Sequence, residues 1–330
     1  MDHYTPPFNI TPAMLTLAGS ISEKLGELKI YRDLDAKPHL RRNNRIRSIH
    51  SSLTIEANSL SLKDVRDVIA GHTVLGPRNE IREVQNAYAA YEELPTLDPY
   101  SIEELKRIHG ILTDGLVKES GVFRSGDEGV FDGDRVIFVA PPPGNVPALM
   151  EDLFHWIRTS KDTLNPLILS SVFHYEFVFI HPFSDGNGRM ARLWQTALLS
   201  KWRSIFQYLP IESQIEKNQD GYYKAISACH VAGQSDRFIE FMMTQIDSAL
   251  SEVLEQTSAN EEEITSYVGR LLDIMDYDVP YSAGELMAKL GIKTRDSFRI
   301  HYLRPAIDLG LVHMTLTDAP TSKNQRYIKR

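Results

Sequence analysis

The chain has 330 residues, 42% hydrophobic and 24% charged, enough for one large domain or two to three smaller ones around a core of useful size. A net charge of −8 argues against a surface built mainly to hold nucleic acid. The single cysteine, Cys229, rules out an internal disulfide or a thiolate zinc cluster and fits a reducing cytoplasm, and no apolar run is long enough to span a bilayer.

The opening MDHYTPPFNI lacks a basic stretch followed by an apolar one, so no secretory signal is expected. Spaced Leu, Ile and Ala predict helices over 11–30, 40–57, 62–71, 78–94 and 101–118. GVFDGDRVIFVAPPP then interrupts the pattern. Asp132-Gly133 is a tight-turn dipeptide and Val136, Ile137, Phe138 and Val139 form a β-prone run, so a hairpin is predicted, cut off by three prolines. Helices resume over 147–159, 166–180, 188–202, 220–232 and 235–257, and the polar SANEEE at 258–263 reads as a linker or a helix start. Beyond it, YSAGELMAKLGI predicts a helix ending at Gly291, TRDSFRIHYLRPAIDLGLV a helical pair, and HMTLTD with NQRYIKR two short strands, the order of a winged helix. Residues 281–330 hold nine basic and four acidic side chains, a net of about +5 that leaves about −13 for the remainder.

The stretch HPFSDGNGRMAR, 181–192, carries the chemistry. Asn165 and Pro166 start a helix that is apolar almost all round and therefore central. Pro182 disfavours helical geometry at His181, so that helix ends there with His181 at its mouth. Gly186 and Gly188 open the next helix, whose apolar stripe is Met190, Leu193, Trp194, Ala197 and Leu198, and Arg189 and Arg192 lie together on a neighbouring face. Free N–H groups at a helix start beside two arginines make an anion site. Asp185 adds a hard oxygen ligand suited to Mg²⁺, and His181 a base titrating near neutrality. That inventory points to transfer from a nucleotide. A P-loop is excluded, because no G-x-x-x-x-G-K-[ST] occurs.

HPFSDGNGRMAR resembles the signature of the Fic-domain family, HPFx(D/E)GNGRxxR, at every fixed position. The resemblance implies a mainly α Fic helical fold with a β-hairpin flap and a small C-terminal winged-helix domain, laid out as an N-terminal helical region over 1–100, a catalytic core over 101–257 with its flap at about 123–140, and the winged helix over 258–330. It implies an enzyme of the protein adenylyltransferase type, moving AMP from ATP to a Ser, Thr or Tyr hydroxyl of a target protein or of the chain itself. In that reading His181 takes the hydroxyl proton, Phe183 anchors the loop and Asp185 holds Mg²⁺. Gly186, Asn187 and Gly188 form the anion hole, with the Asn187 side chain helping. Arg189 meets the β-phosphate and Arg192 the γ-phosphate. Tyr222 and Tyr223 flank adenine, while His230 stands where relatives often carry asparagine. Val136–Val139 would pair with an extended segment of the target. His174 is expected to pack within the central helix.

One carboxylate sits in an unexpected place. In RIRSIHSSLTIEANSL, Ile46, Ile49, Leu53 and Leu60 follow helical spacing and Glu56 falls on the same stripe, where an ionised group needs a cation. Ser52 lies one turn earlier. The stretch resembles the family's inhibitory motif, (S/T)xxxE(G/N), with Ala57 in the usual Gly or Asn place. This implies an inhibitory helix over about 45–60 in which Glu56 pairs with Arg192 and denies it to the γ-phosphate. Some relatives with this glutamate also remove AMP, and many pair or form larger assemblies. The rival class is a nucleotide-sensing regulator whose winged helix binds DNA. Transfer of another nucleotide, such as UMP, is a rival within the enzyme class.

Overall fold

The computed structural model describes residues 4–30, 38–132, 135–263, 266–276, 279–309, 311–316, 322 and 324–329. The chain divides into two compact units, Met1–Ser251 and Glu252–Arg330. The first is built from α1 (Pro12–Ile30), α2 (Pro38–Ile55), α3 (Leu62–Ile69), α4 (Arg78–Glu92) and α5 (Ile102–Leu112), then β1 (Gly129–Asp132) and β2 (Arg135–Val139). It continues with α6 (Val146–Ser160), α7 (Pro166–Ile180), α8 (Asn187–Trp202), α9 (Ile211–Lys217), α10 (Gln219–Ala232) and the part of α11 (Asp236–Glu263) up to Ser251, the rest of that helix falling in the second unit.

Helix α7 is the axis of this unit. The Asn165 side chain accepts from the Leu167 N–H at 2.9 Å and Pro166 takes the first turn, so the helix starts where Asn-Pro predicts. From Leu167 to Phe177 every residue is buried, and α8 packs along it. Phe154, Phe173, Phe177, Phe183 and Trp194 fill the space between α6, α7 and α8 as offset and edge-on rings. Trp194 Nε1 donates to the Pro99 carbonyl at 3.0 Å, so the largest core side chain leaves no polar atom stranded.

Strands β1 and β2 form an antiparallel hairpin in which Gly129 faces Val139, Val130 faces Phe138, Phe131 faces Val136 and Asp132 faces Arg135, with an irregularity between Val130 and Phe131. The turn residue Gly133 and the side chains of Val136, Ile137 and Phe138 lie outside the described residues, and Val139 is exposed. Two expected boundaries move. The helix expected over 101–118 stops at Leu112, where the Thr113 hydroxyl turns back to donate to the His109 carbonyl at 2.7 Å and Gly115 adopts a left-handed φ of 70°. The break expected at SANEEE is instead helix, continuing α11 to Glu263, because the run contains neither Gly nor Pro and its glutamates are good helix formers.

The second unit contains α12 (Ser266–Asp273), α13 (Ala283–Leu290), α14 (Arg295–Ser297), a π-helical stretch Phe298–Leu303, α15 (Arg304–Asp308), β3 (Val312–Met314) and β4 (Tyr327–Lys329). Ser282 and Glu285 close a capping box on α13, and Gly291 ends it in the left-handed region. β3 and β4 pair antiparallel and Tyr281, just before α13, bridges to Tyr327 of β4. The core of this unit gathers Leu271, Leu286, Phe298, Tyr302, Ala306 and Val312.

Candidate active site

The loop between α7 and α8 is held from both ends. His181 caps α7 in the left-handed region, φ 51° and ψ 60°, with its N–H still donating to the Phe177 carbonyl at 2.9 Å. Its Nδ1 faces the Val178 carbonyl at 3.4 Å. A carbonyl only accepts, so this contact places the proton on Nδ1 and the ring's lone pair on Nε2. Burial lowers the imidazole pKa, and nearby Arg124 lowers it further. The Val178 carbonyl and the Glu128 and Glu56 carboxylates pull the other way.

Phe183 is fully buried and stacks on His109, ring centroids 3.6 Å apart and planes within 4°. Gly121 N–H donates to His109 Nδ1 at 2.9 Å, which fixes the proton on Nε2, and Nε2 donates to the Asp185 carbonyl at 3.0 Å. Burial pushes this histidine's pKa down to about 4, so it holds the loop as a neutral ring. The Asn187 side chain accepts from the Phe183 N–H at 3.0 Å and donates to the Phe183 carbonyl at 2.7 Å. Oδ1 and one Nδ2 hydrogen are thus occupied in shaping the loop.

Gly186 begins α8 with φ 77°, a conformation that favours glycine, and no side chain caps the helix there. The Met190 N–H makes the first bond back to Gly186, so the N–H groups of Asn187, Gly188 and Arg189 have no intrahelical acceptor. Asp185 Oδ1 accepts from the Gly186 N–H at 2.6 Å and Oδ2 from Arg189 at 3.0 Å, while the carboxylate stays half-exposed. Arg189 is buried and also meets Glu83 of α4 at 3.4 Å.

Into this helix start comes Glu56. Its Oε1 accepts from Arg192 Nη2 at 2.7 Å and lies so close to Gly188 that a Cβ there would collide with it. Arg192 is 2% exposed. Its Nε donates to the Ser52 hydroxyl at 3.0 Å and its Nη2 also to the Ser52 carbonyl at 2.9 Å, but buried Nη1 has no hydrogen-bond partner among the described residues. Burial works against the guanidinium charge, yet Glu56, with Tyr222 and Tyr91, outweighs it and the pKa is raised overall. The Glu56 carboxylate is badly placed for its own helix, whose C-terminal end disfavours negative charge, and well placed for α8, whose N-terminal end attracts it.

The tyrosines divide. Tyr222 is core, contrary to its expected place beside adenine: it is 2% exposed and its hydroxyl donates to His174 Nε2 at 2.9 Å. His174 Nδ1 in turn faces Gln195 Oε1 at 2.6 Å, and burial pushes its pKa down to about 3. The residue packs as its place in α7 predicts. Tyr223 is 48% exposed and is the one available to a ligand.

Sequence reasoning missed His109, Arg124 and Glu83. His109 carried a readable signal, a polar residue four after Leu105 and three before Leu112 on a buried stripe. Arg124 lies in an irregular segment, where no periodicity marks a buried side chain.

Residues 99–199 match the Fic/DOC family, and residues 266–328 match the C-terminal domain described as "Filamentation induced by cAMP protein Fic-like". A solved Fic family protein from Desulfovibrio desulfuricans G20 is 40% identical, covering 99% of this chain and 98% of its own, with a TM-score of 0.75. The chain belongs to the Fic family. Among curated relatives, protein adenylyltransferase fic-1 of Caenorhabditis elegans is 25% identical over 248 residues, covering 67% of this chain and 46% of its own length. Protein adenylyltransferase Fic of Nematostella vectensis is 28% identical over 221 residues, 64% of this chain and 49% of its own. The chain therefore spans about half the length of these relatives. Among the described residues no helix is long and apolar enough to cross a membrane.

Proposed function

We propose that the chain is a protein adenylyltransferase held in check by Glu56. The observation that carries this is Arg192 Nη1, buried without a partner beside Gly188 at the uncapped start of α8, with a carboxylate seated where a phosphate would be welcome. ATP would lay its phosphates along the N–H groups of Asn187, Gly188 and Arg189, with Arg189 and Arg192 neutralising the outer two. His181 Nε2 takes the proton from a Ser, Thr or Tyr hydroxyl, the hydroxyl oxygen bonds to the α-phosphorus, and the bond to the β-phosphate oxygen breaks to release pyrophosphate. The cradle is preorganised, since His109, Phe183 and Asn187 fix it before substrate arrives.

Mg²⁺ fits the half-exposed Asp185 carboxylate. One protein oxygen is a suitable share for an ion that takes its remaining ligands from phosphate and water, and it would offset phosphate charge. The outer edge of β2 would receive an extended segment of the target by strand addition. Tyr223 is the candidate adenine contact. Glu56 blocks productive binding by holding Arg192, and the same carboxylate could orient a water for the reverse removal of AMP.

Intact-mass spectrometry of the purified chain after incubation with Mg-ATP tests this. Glu56→Gly is expected to raise AMP addition about tenfold or more over wild type, the factor that about 1.4 kcal/mol of lost pairing corresponds to, and His181→Ala to abolish it. Equal, low labelling of wild type and Glu56→Gly would contradict the inhibitory role. Competition among four nucleoside triphosphates separates AMP from UMP transfer.

A second reading concerns the C-terminal unit, in which Lys293, Arg295, Arg299 and Arg304 are all exposed around the second helical pair. They suit duplex DNA. Binding by the whole chain that falls steeply with salt, and is lost on Arg295→Glu with Arg299→Glu, would support it. Salt-independent retention would exclude it.

A further inference from the structure

Arg124 is an arginine almost wholly inside the protein, 3% exposed, in the segment that leads from α5 to the hairpin. Every hydrogen bond of its side chain goes to backbone carbonyls. Nε donates to His181 at 2.7 Å, Nη1 to Gly126 at 2.7 Å, and Nη2 to Pro141 and, at 3.4 Å, to Ile180. Its own N–H donates to the Pro182 carbonyl at 2.9 Å. One residue thus grips three consecutive carbonyls at the mouth of α7 and both feet of the hairpin, the segments just before β1 and just after β2. At the centre of that grip His181 holds a φ of 51°, a conformation that is strained for a side-chain-bearing residue and persists only when its surroundings impose it.

We propose that Arg124 is a positioning residue that sets the His181 imidazole and the target-binding hairpin in fixed relation, so that the base and the incoming hydroxyl meet in register. The inference rests on the transferase reading. Arg124 touches His181 at its backbone carbonyl, so it acts on the imidazole by way of the main chain. Four contacts from one rigid fork are what a lysine cannot reproduce.

The experiment uses the full chain in a Glu56→Gly background. Arg124→Lys is expected to lower kcat about tenfold and Arg124→Ala about a hundredfold, the scale of loss that a misplacement near 1 Å produces. KM for Mg-ATP should stay within about threefold, because the cradle residues are untouched. A second readout separates positioning from bulk stability. The charges that face His181 are Glu128 ahead of β1, Glu56 at the end of α2 (absent in this background) and Arg124 itself, and Arg124 is the one that favours the neutral ring. Removing its charge in Arg124→Ala should therefore move the acid limb of the rate profile to higher pH, whereas Arg124→Lys should leave it near its original place. A uniform fall in rate at every pH in Arg124→Ala, full activity in Arg124→Lys, or an Arg124→Lys chain that does not fold would each overturn the proposal, the last by making Arg124 fold support. If Glu56→Gly transfers no AMP, the transferase reading fails and this falls with it. An active Glu56→Gly chain with unchanged Arg124 variants sinks this proposal alone.

Discussion

Ala57 explains both how α2 stops and how Glu56 is aimed. Asn58 N–H donates to the Leu53 carbonyl at 3.1 Å and Ala57 N–H to the Thr54 carbonyl at 2.9 Å, the paired bonds of a Schellman ending, with Ala57 at φ 66° where glycine is usual. A Cβ in that conformation costs about 1–2 kcal/mol, partly offset by the backbone entropy that glycine would lose. Ala57→Gly should therefore stabilise the chain by about 0.5–1 kcal/mol, read from urea unfolding, and should not increase AMP transfer. Destabilisation would mean that the left-handed turn is not what holds Glu56. The departure from (S/T)xxxE(G/N) thus changes the strain of the turn while keeping its shape. At the same scale, His181 and His109 are both neutral rings with distinct tasks, one offering a lone pair and one donating to a carbonyl, as their partners dictate.

At the scale of elements, α2 is held so that its last turn meets the first turn of α8. Gln219 donates to the Ile55 carbonyl at 3.0 Å, the Ser51 and Ser213 hydroxyls pair at 3.0 Å, and Asn58 reaches Glu83 of α4 at 2.8 Å. Glycine at 188 is what lets the carboxylate come in. Gly188→Ala should cost about 1–3 kcal/mol by overpacking in wild type, and less than half as much in Glu56→Gly, a non-additivity that thermal unfolding of the four chains would reveal. Equal costs in both would place the clash elsewhere. Much of this pairing was legible beforehand. Ile46, Ile49 and Leu53 mark the buried face of α2, and a carboxylate there demands the cation that Arg192 supplies. The loop's inner supports were less legible because they depend on side-chain to backbone bonds, which leave no periodic trace. Tyr222 shows the limit of residue type as a guide, since its ring would suit a ligand and is claimed by the core instead.

At the scale of the whole molecule, charge is divided, with about +5 on residues 281–330 and about −13 on the rest. The first unit also stores a pH dependence. Glu176 is buried within α7 and accepts from the Tyr4 hydroxyl at 3.2 Å, and burial pushes its pKa up to about 7. The folded state thus holds this proton more tightly than the unfolded chain does. The associated stability is complete below the unfolded value near 4.5 and is lost as pH rises towards and through 7. Glu176→Gln should be more stable than wild type at pH 8, by on the order of 2 kcal/mol, with the gap closing near pH 4.5. A gap that stays constant with pH would mean that Glu176 is not protonated in the fold. The central claim is that Glu56 occupies a polyphosphate seat, and a crystal of Glu56→Gly grown with Mg-ATP tests it most directly. The account predicts phosphate oxygens on the N–H groups of Asn187, Gly188 and Arg189, Arg192 Nη1 bonded to the outermost phosphate, and His181 Nε2 facing the α-phosphorus. Phosphates bound elsewhere, with Arg192 still turned to Ser52 and Nη1 still unpaired, would contradict it.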